Sequence, residues 1–219
     1  MTIDNNNQGG GGVGPGNPPG GQGPQFNKDT GTFSQEYRHQ PIGARVPEKV
    51  AKGVLSTGVL VLDSPNEFVL DFMQALSRPF NVAARVVLTP TVMEQFVNAL
   101  RENLSRFEQR FGPPPALPKP NTDRRPSIQE IYDEFKLPDD MMSGVYCNAV
   151  MVGHTPAEFF MDFITNFFPT SAVSARIYMA AAQMPRTIDA LATALQRYHQ
   201  RMQQMRQQQP PPPPQEPPM

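Results

Sequence analysis

Cysteine is almost absent: Cys147 is the single one among 219 residues, which excludes an intramolecular disulfide and any cysteine-based metal cluster. An excess of either charge is also lacking. Nineteen basic and twenty acidic residues leave a net charge of −1, so no global field draws the chain toward nucleic acid or an anionic membrane. No run approaches the roughly 20 consecutive apolar residues of a transmembrane helix. The start has neither the basic stretch nor the apolar core of a secretory signal, and the expectation is a cytoplasmic protein without a membrane.

Hydrophobic residues are scarce at 38%, and the deficit lies at the ends. Residues 1–42 are rich in Gly, Asn, Gln and Pro and offer too little apolar surface to offset the entropy of ordering them, so they are read as a disordered tail. Residues 206–219 close a Gln-rich stretch that begins near Gln203 and runs into five consecutive prolines, Pro210 to Pro214. That composition favours an extended polyproline II spacer.

Between the tails the chain repeats itself. A shift of 91 positions carries Pro65, Glu67, Phe68, Asp71 and Phe72 onto Pro156, Glu158, Phe159, Asp162 and Phe163, the pattern P-x-E-F-x-x-D-F in both copies. It also carries Gly53 onto Gly144, Arg85 onto Arg176 and Leu100 onto Leu191. About 18 of 61 positions from Pro47 to Phe107 are identical without a gap, where average usage gives roughly four by chance. The copies span residues 43–112 and 137–205, joined by a Pro-rich linker over 113–136.

Each copy reads as three strands and a helix. In the first copy the runs Val54 to Leu62, Glu67 to Met73 and Ala83 to Leu88 have strand length and β-branched or alternating character, with Ser64, Pro65 and Asn66 as a turn. Met93, Phe96, Val97, Leu100, Leu104 and Phe107 recur at helical spacing after Thr89 as N-cap and Pro90, and Gly112 stops the helix. The second helix carries the stripe Ile188, Leu191, Leu195, Tyr198 and Met202, and Pro185 predicts that it starts about one turn later. Within the linker, Ser127 and Glu130 form a capping-box pattern. It predicts a short helix whose Ile128, Ile131, Tyr132 and Phe135 pack on one copy.

The P-x-E-F-x-x-D-F strand, the A-R-V or A-R-I strand and the L-x-x-x-L-x-R-F/Y helix resemble those of an uncharacterised family of short prokaryotic proteins, domain of unknown function 3467. The resemblance covers Arg45 to Phe111 and Pro138 to His199, with Ala180 and Ala181 in place of the Thr-Pro helix start, and leaves the tails and linker outside. It implies a β-β-β-α module and transfers no activity. A unit of about 60 residues buries a modest share of its surface, so the copies are expected to share one core. The fold class is α+β: one antiparallel sheet or two facing sheets, with two long amphipathic helices related by an approximate twofold axis. If single units dimerise, such a chain is a fused version of that dimer, expected to act as a pseudo-dimeric monomer or a homo-oligomer.

The candidate site residues are few. Asp71 with Arg85, and Asp162 with Arg176, sit in apolar strands where a partly buried ion needs a partner; they are read as structural ion pairs over an anion site or an acid/base pair. Glu67 and Glu158 either compete for the same arginines or cap the strand entrance. His39, His154 and His199 lack metal-ligand spacing, and no metal or cofactor is assigned. Cys147, aligned with Ser56, is read as a small buried side chain, with no neighbour to activate a thiolate. Phe167 and Phe168 at a turn are either covered by the linker helix or a contact for a partner. Arg197, Arg201 and Arg206 on the last helix are candidates for nucleic-acid contact, weighed against a solvated face.

No nucleophile, base or metal constellation is legible, so no catalytic residue is assigned and the chain is read as no enzyme. The expectation is a non-catalytic binding or scaffolding protein with a protein partner. Two other classes compete: a single-stranded nucleic-acid binder of the Whirly and PUR-alpha type, by fold-level analogy, and a holdase-type chaperone.

Overall fold

The computed structural model describes residues 25–28, 32–34, 43–118, 127–167 and 170–208. The chain divides into two compact units, residues 1–42 and 43–219. In the first unit, β1 (Gln25–Asn27) and β2 (Thr32–Ser34) pair antiparallel, with Phe26 opposite Phe33. This pair falls inside the stretch read as a disordered tail, which composition alone had obscured because Phe and Thr, both strand formers, are locally concentrated there. The disorder expected of residues 1–24 and 209–219 lies outside the described residues.

The second unit begins with α1 (Glu48–Ala51), β3 (Val54–Ser56), β4 (Gly58–Asp63), β5 (Phe68–Gln74), β6 (Phe80–Leu88) and α2 (Pro90–Phe111). The bridge holds α3 (Ile128–Glu134) and β7 (Phe135–Lys136). The second copy follows with a 3-10 turn (Asp139–Met141), β8 (Val145–Cys147), β9 (Ala149–His154), β10 (Glu158–Thr165) and β11 (Ala172–Ala180). A second 3-10 turn over Ala181–Gln183 then leads into α4 (Met184–Gln208).

Two sheets result, and neither belongs to one copy. One has the order β4-β5-β6-β7, with β8 also on β6; the other has the order β3-β11-β10-β9. Thus β3 of the first copy completes the sheet of the second, and β8 of the second completes the sheet of the first. The registers match: Val54 lies opposite Ile177, and Val145 opposite Val86. The 91-residue shift turns each pair into the other. It also turns the Lys136–Asn81 pairing of β7 into the Arg45–Ala172 bridge. Both exchanged segments run parallel to their new neighbours, so the sheets are mixed and not wholly antiparallel as expected.

The exchange requires the first predicted strand to break. Val54 to Leu62 read as one run, but β3 and β4 part at Thr57 and enter different sheets. Thr57 donates its amide to the Met73 carbonyl at 2.8 Å, and its hydroxyl accepts from the Ala75 amide at 3.0 Å. In the second copy Asn148 does the same work, its amide donating to the Ile164 carbonyl at 3.0 Å and its Oδ1 accepting from the Asn166 amide at 2.7 Å. A short polar side chain that bonds nearby backbone holds the corner in each case.

Ahead of the exchanged strands, Gly53 and Gly144 have φ of 62° and 67°. A Cβ on Gly53 would lie 2.5 Å from the Tyr178 ring, and one on Gly144 would lie 2.8 Å from Arg85 Cγ. Only glycine combines the left-handed turn with this close approach.

One core joins the copies. Each long helix crosses to the other copy's hairpin, α2 against β9 and α4 against β4. Phe107 of α2 packs on Phe159 at 5.4 Å between ring centroids, and its shifted counterpart Tyr198 packs on Phe68 at 5.1 Å. Phe72 and Phe163, related by the same shift, touch each other at 5.4 Å. Phe68, Phe72, Phe159 and Phe163 are fully buried. The Tyr198 hydroxyl donates to the Pro65 carbonyl at 3.0 Å, so its polar tip is satisfied.

The helix ends follow the chemistry read from sequence. Thr89 Oγ1 accepts from the Val92 amide with Pro90 at the first position, and Gly112 closes α2 at φ 82°. The second helix opens as a tight turn and becomes α-helical at Met184, the delay that Pro185 predicts. It runs to Gln208, past the expected end at 205, because Gln, Met and Arg are good helix formers. The capping box forms at Ser127 and Glu130. The packing expected of α3 is partial: Phe135 meets Phe80 at 5.2 Å, whereas Ile128 is 53% exposed.

Gly53→Ala and Gly144→Ala should each destabilise the protein by about 1–3 kcal/mol, through backbone strain plus the displaced neighbour. Gly112→Ala, with open space around its Cβ, should lose only about 1 kcal/mol. Urea unfolding midpoints of the three variants check the ranking.

Candidate functional site

The charged residues singled out from sequence lie opposite one another on neighbouring strands. Asp71 pairs with Arg85 across β5 and β6, and Asp162 with Arg176 across β10 and β11. Each is a two-pronged contact in which arginine Nε and Nη2 donate to the two carboxylate oxygens at 2.7 Å. The carboxylates are buried, with 0% and 1% of their side chains exposed, while the arginines keep 14% and 20%. The guanidiniums therefore form a lid over the acids. The bond from the partner carboxylate is the main influence on each arginine and raises its pKa further, so both stay charged. Glu67 and Glu158 sit at the strand entrances, and among the described residues the carboxylate that pairs with each arginine is its aspartate.

The first pair has a third member that sequence reading did not join to it. Tyr132 of α3 accepts from Arg85 Nη2 at 3.0 Å and donates to Asp71 Oδ2. Arg85 Nη1 also donates to the Met142 carbonyl at 2.9 Å. The capping box and apolar stripe locate α3, but nothing local in them says which sheet it reaches. Arg176 has no such carbonyl among the described residues; Tyr178 is its other neighbour. Burial first, then the bond to Asp71, pushes the Tyr132 hydroxyl up to about 12.

Where the exchanged strands separate, a cleft of about 220 Å³ opens between β6 and β11. Gly53 and Gly144, Val54 and Val145, and Arg85 and Arg176 face it in shifted pairs. Of the pairs that differ, one changes charge: Lys49 stands where the second copy has Asp140. Ser174 also lines the cleft, but its hydroxyl is engaged with Thr165 at 2.6 Å.

The remaining candidates do not assemble into one site. Cys147 is fully buried, and burial pushes its thiol up to about 12, which leaves it inert at neutral pH. His154 lies among Phe107, Phe111 and Phe159. His199 meets Glu94 at 2.7 Å. On α4, Arg201 forms an ion pair with Asp63, while Arg197 and Arg206 are exposed. No group of three His, Cys, Asp or Glu among the described residues is placed to hold a metal ion. Phe167 is 55% exposed and stacks on Tyr146 at 6.0 Å and 7°, so an aromatic neighbour takes the place of the cover expected from the linker helix. Phe168 lies outside the described residues.

Fold and site together define a fused, strand-exchanged pair of repeated α+β units, each with four strands ahead of its long helix, with a cleft between the two exchanged edges. The chain belongs to the family described as a protein of unknown function, DUF3467, whose model matches residues 20–114 and again 117–207. Both matches begin ahead of Arg45 and Pro138, so the family domain takes in part of what composition had set apart as tail and linker. No curated protein and no solved structure matches the chain. No described helix is long and apolar enough to cross a membrane.

Asp71→Ala should cost about 3–5 kcal/mol, since it strands a guanidinium over an apolar strand. Tyr132→Phe should cost about 1 kcal/mol. Because the folded pKa of Tyr132 lies above the ordinary 10.0, its contribution is present below pH 10 and is lost as pH rises toward 12. Urea midpoints of wild type and Tyr132→Phe, measured from pH 7 to 12, should converge at the alkaline end.

Proposed function

We propose that the chain is a non-catalytic protein-binding module that offers related apolar patches, each made of a residue on an exchanged strand and one on the loop that follows β5 or β10. The observation that carries this reading is the pair Tyr146 and Phe167, 44% and 55% exposed and stacked on each other. The 91-residue shift carries Leu55 and Leu76 onto them, and these are 40% and 65% exposed. Large apolar side chains left open at the same two places in both copies are a contact surface more than an accident of composition. Strand pairing extends the first patch: Leu55 lies opposite Tyr178, and Tyr178 opposite Phe160.

The charged residues support a role without chemistry. Both aspartates are locked beneath arginines, and the one thiol is buried. Nucleic-acid binding draws less support, because Arg201 and His199 on α4 already meet Asp63 and Glu94.

Selection from a random peptide library on the full chain tests the reading. Aromatic or aliphatic extended peptides should emerge, and Tyr146→Ser with Phe167→Ser should weaken them at least tenfold while leaving the melting temperature within a few degrees. Arg197→Glu with Arg206→Glu should leave them unchanged. The reading fails if the aromatic variant binds as wild type does, if only oligonucleotides bind and do so through the arginines, or if only unfolded clients are held.

A further inference from the structure

We infer that the cleft between the exchanged edges takes a small zwitterion of the amino-acid class, with its carboxylate toward Lys49 and Arg176 and its ammonium toward Asp140. This goes beyond the proposed protein-binding role and rests on a different surface. Duplication makes a cleft whose two ends begin alike, and this chain has made them unlike at the residues that carry charge.

At one end stand Lys49 of α1 and Arg176 of β11, and α1 packs on that same strand. Counting Asp162 behind Arg176, this end carries a net charge of +1. At the other end stand Arg85 of β6 and Asp140, with Asp71 behind Arg85. That end carries −1. Arg85 and Arg176 line the cleft, whereas neither buried carboxylate does.

The donors differ in the same sense. Arg85 Nη1 is occupied by the Met142 carbonyl and Nη2 by Tyr132 as well as Asp71. Arg176 likewise meets a tyrosine, Tyr178, besides Asp162, but has no backbone carbonyl among the described residues to occupy it, so it retains one more N–H toward an anion than Arg85 does. No ion pair joins Lys49 to Asp140 among the described residues, and both are exposed at the rim. Two unlike charges held apart across a cleft of this size attract a molecule that carries both. A carboxylate alone gains one end and is repelled by the other.

The test uses the full chain and backbone amide shifts of Gly53 and Gly144. The probes are 4-aminobutyrate and alanine, with butyrate and butylamine as single-charge controls. At least one zwitterion should bind saturably in the millimolar range or tighter, and at least tenfold more tightly than either control. Lys49→Glu and Asp140→Lys, both rim changes that spare the core, should each weaken it tenfold or more, and raised salt should weaken it too. The inference is overturned if butyrate binds as tightly as the zwitterions, if no probe shifts the two glycines, or if both rim variants bind as the wild type does. Peptide binding at Tyr146 and Phe167 should be the same in the rim variants, which separates this site from the proposed one.

Discussion

The reciprocal placement of β3 and β8 is the constraint on which the rest depends. Each sheet gains an edge strand from the other copy, and each long helix covers the other copy's hairpin. A copy taken alone lacks a strand, a helix cover and the aromatic partners of its hairpin at once. Burial is the main driving term for folding, and here Phe68, Phe72, Phe159 and Phe163 each pack against a ring of the other copy. The two copies are therefore one folding unit, although the sequence divides between them.

The exchange also explains the two glycines and the two ion pairs. Strands β3 and β8 can lie against β11 and β6 only if the chain turns sharply and closely past Arg176 and Arg85. Those arginines in turn close over Asp162 and Asp71, which pins the pairing of β5 with β6 and of β10 with β11. Charge is kept in the sheet where it fixes register, and the cleft between the exchanged edges is what this arrangement leaves open. The copies have since diverged around that opening, at Lys49 and Asp140, and around the ion pairs, where Tyr132 of α3 joins the first and Tyr178 meets Arg176 in the second.

Much of this architecture was legible because it was local. Helix stripes, the Thr-Pro start, the capping box and the turn at Ser64 are read from neighbours in the chain. The Asp71–Arg85 pair was also readable, since alternation puts both on one sheet face and duplication repeats the pair. The exchange was not readable. Val54 to Leu62 has unbroken strand composition, and the corner at Thr57 shows only when its bonds to Met73 and Ala75 are seen. Tyr132 was missed for the same reason, as its bond to Asp71 spans 61 residues. The pairing of Gln25–Asn27 with Thr32–Ser34 was hidden by an average over a Gly-rich stretch.

Producing residues 43–116 and 127–208 as separate chains, and following each alone and mixed by circular dichroism and sedimentation, tests the exchange directly. Neither half should persist as a folded monomer; each should stay unfolded or pair with its own kind. The equimolar mixture should give a one-to-one complex with a single cooperative melt. A half that sediments as a monomer and melts cooperatively would contradict the account.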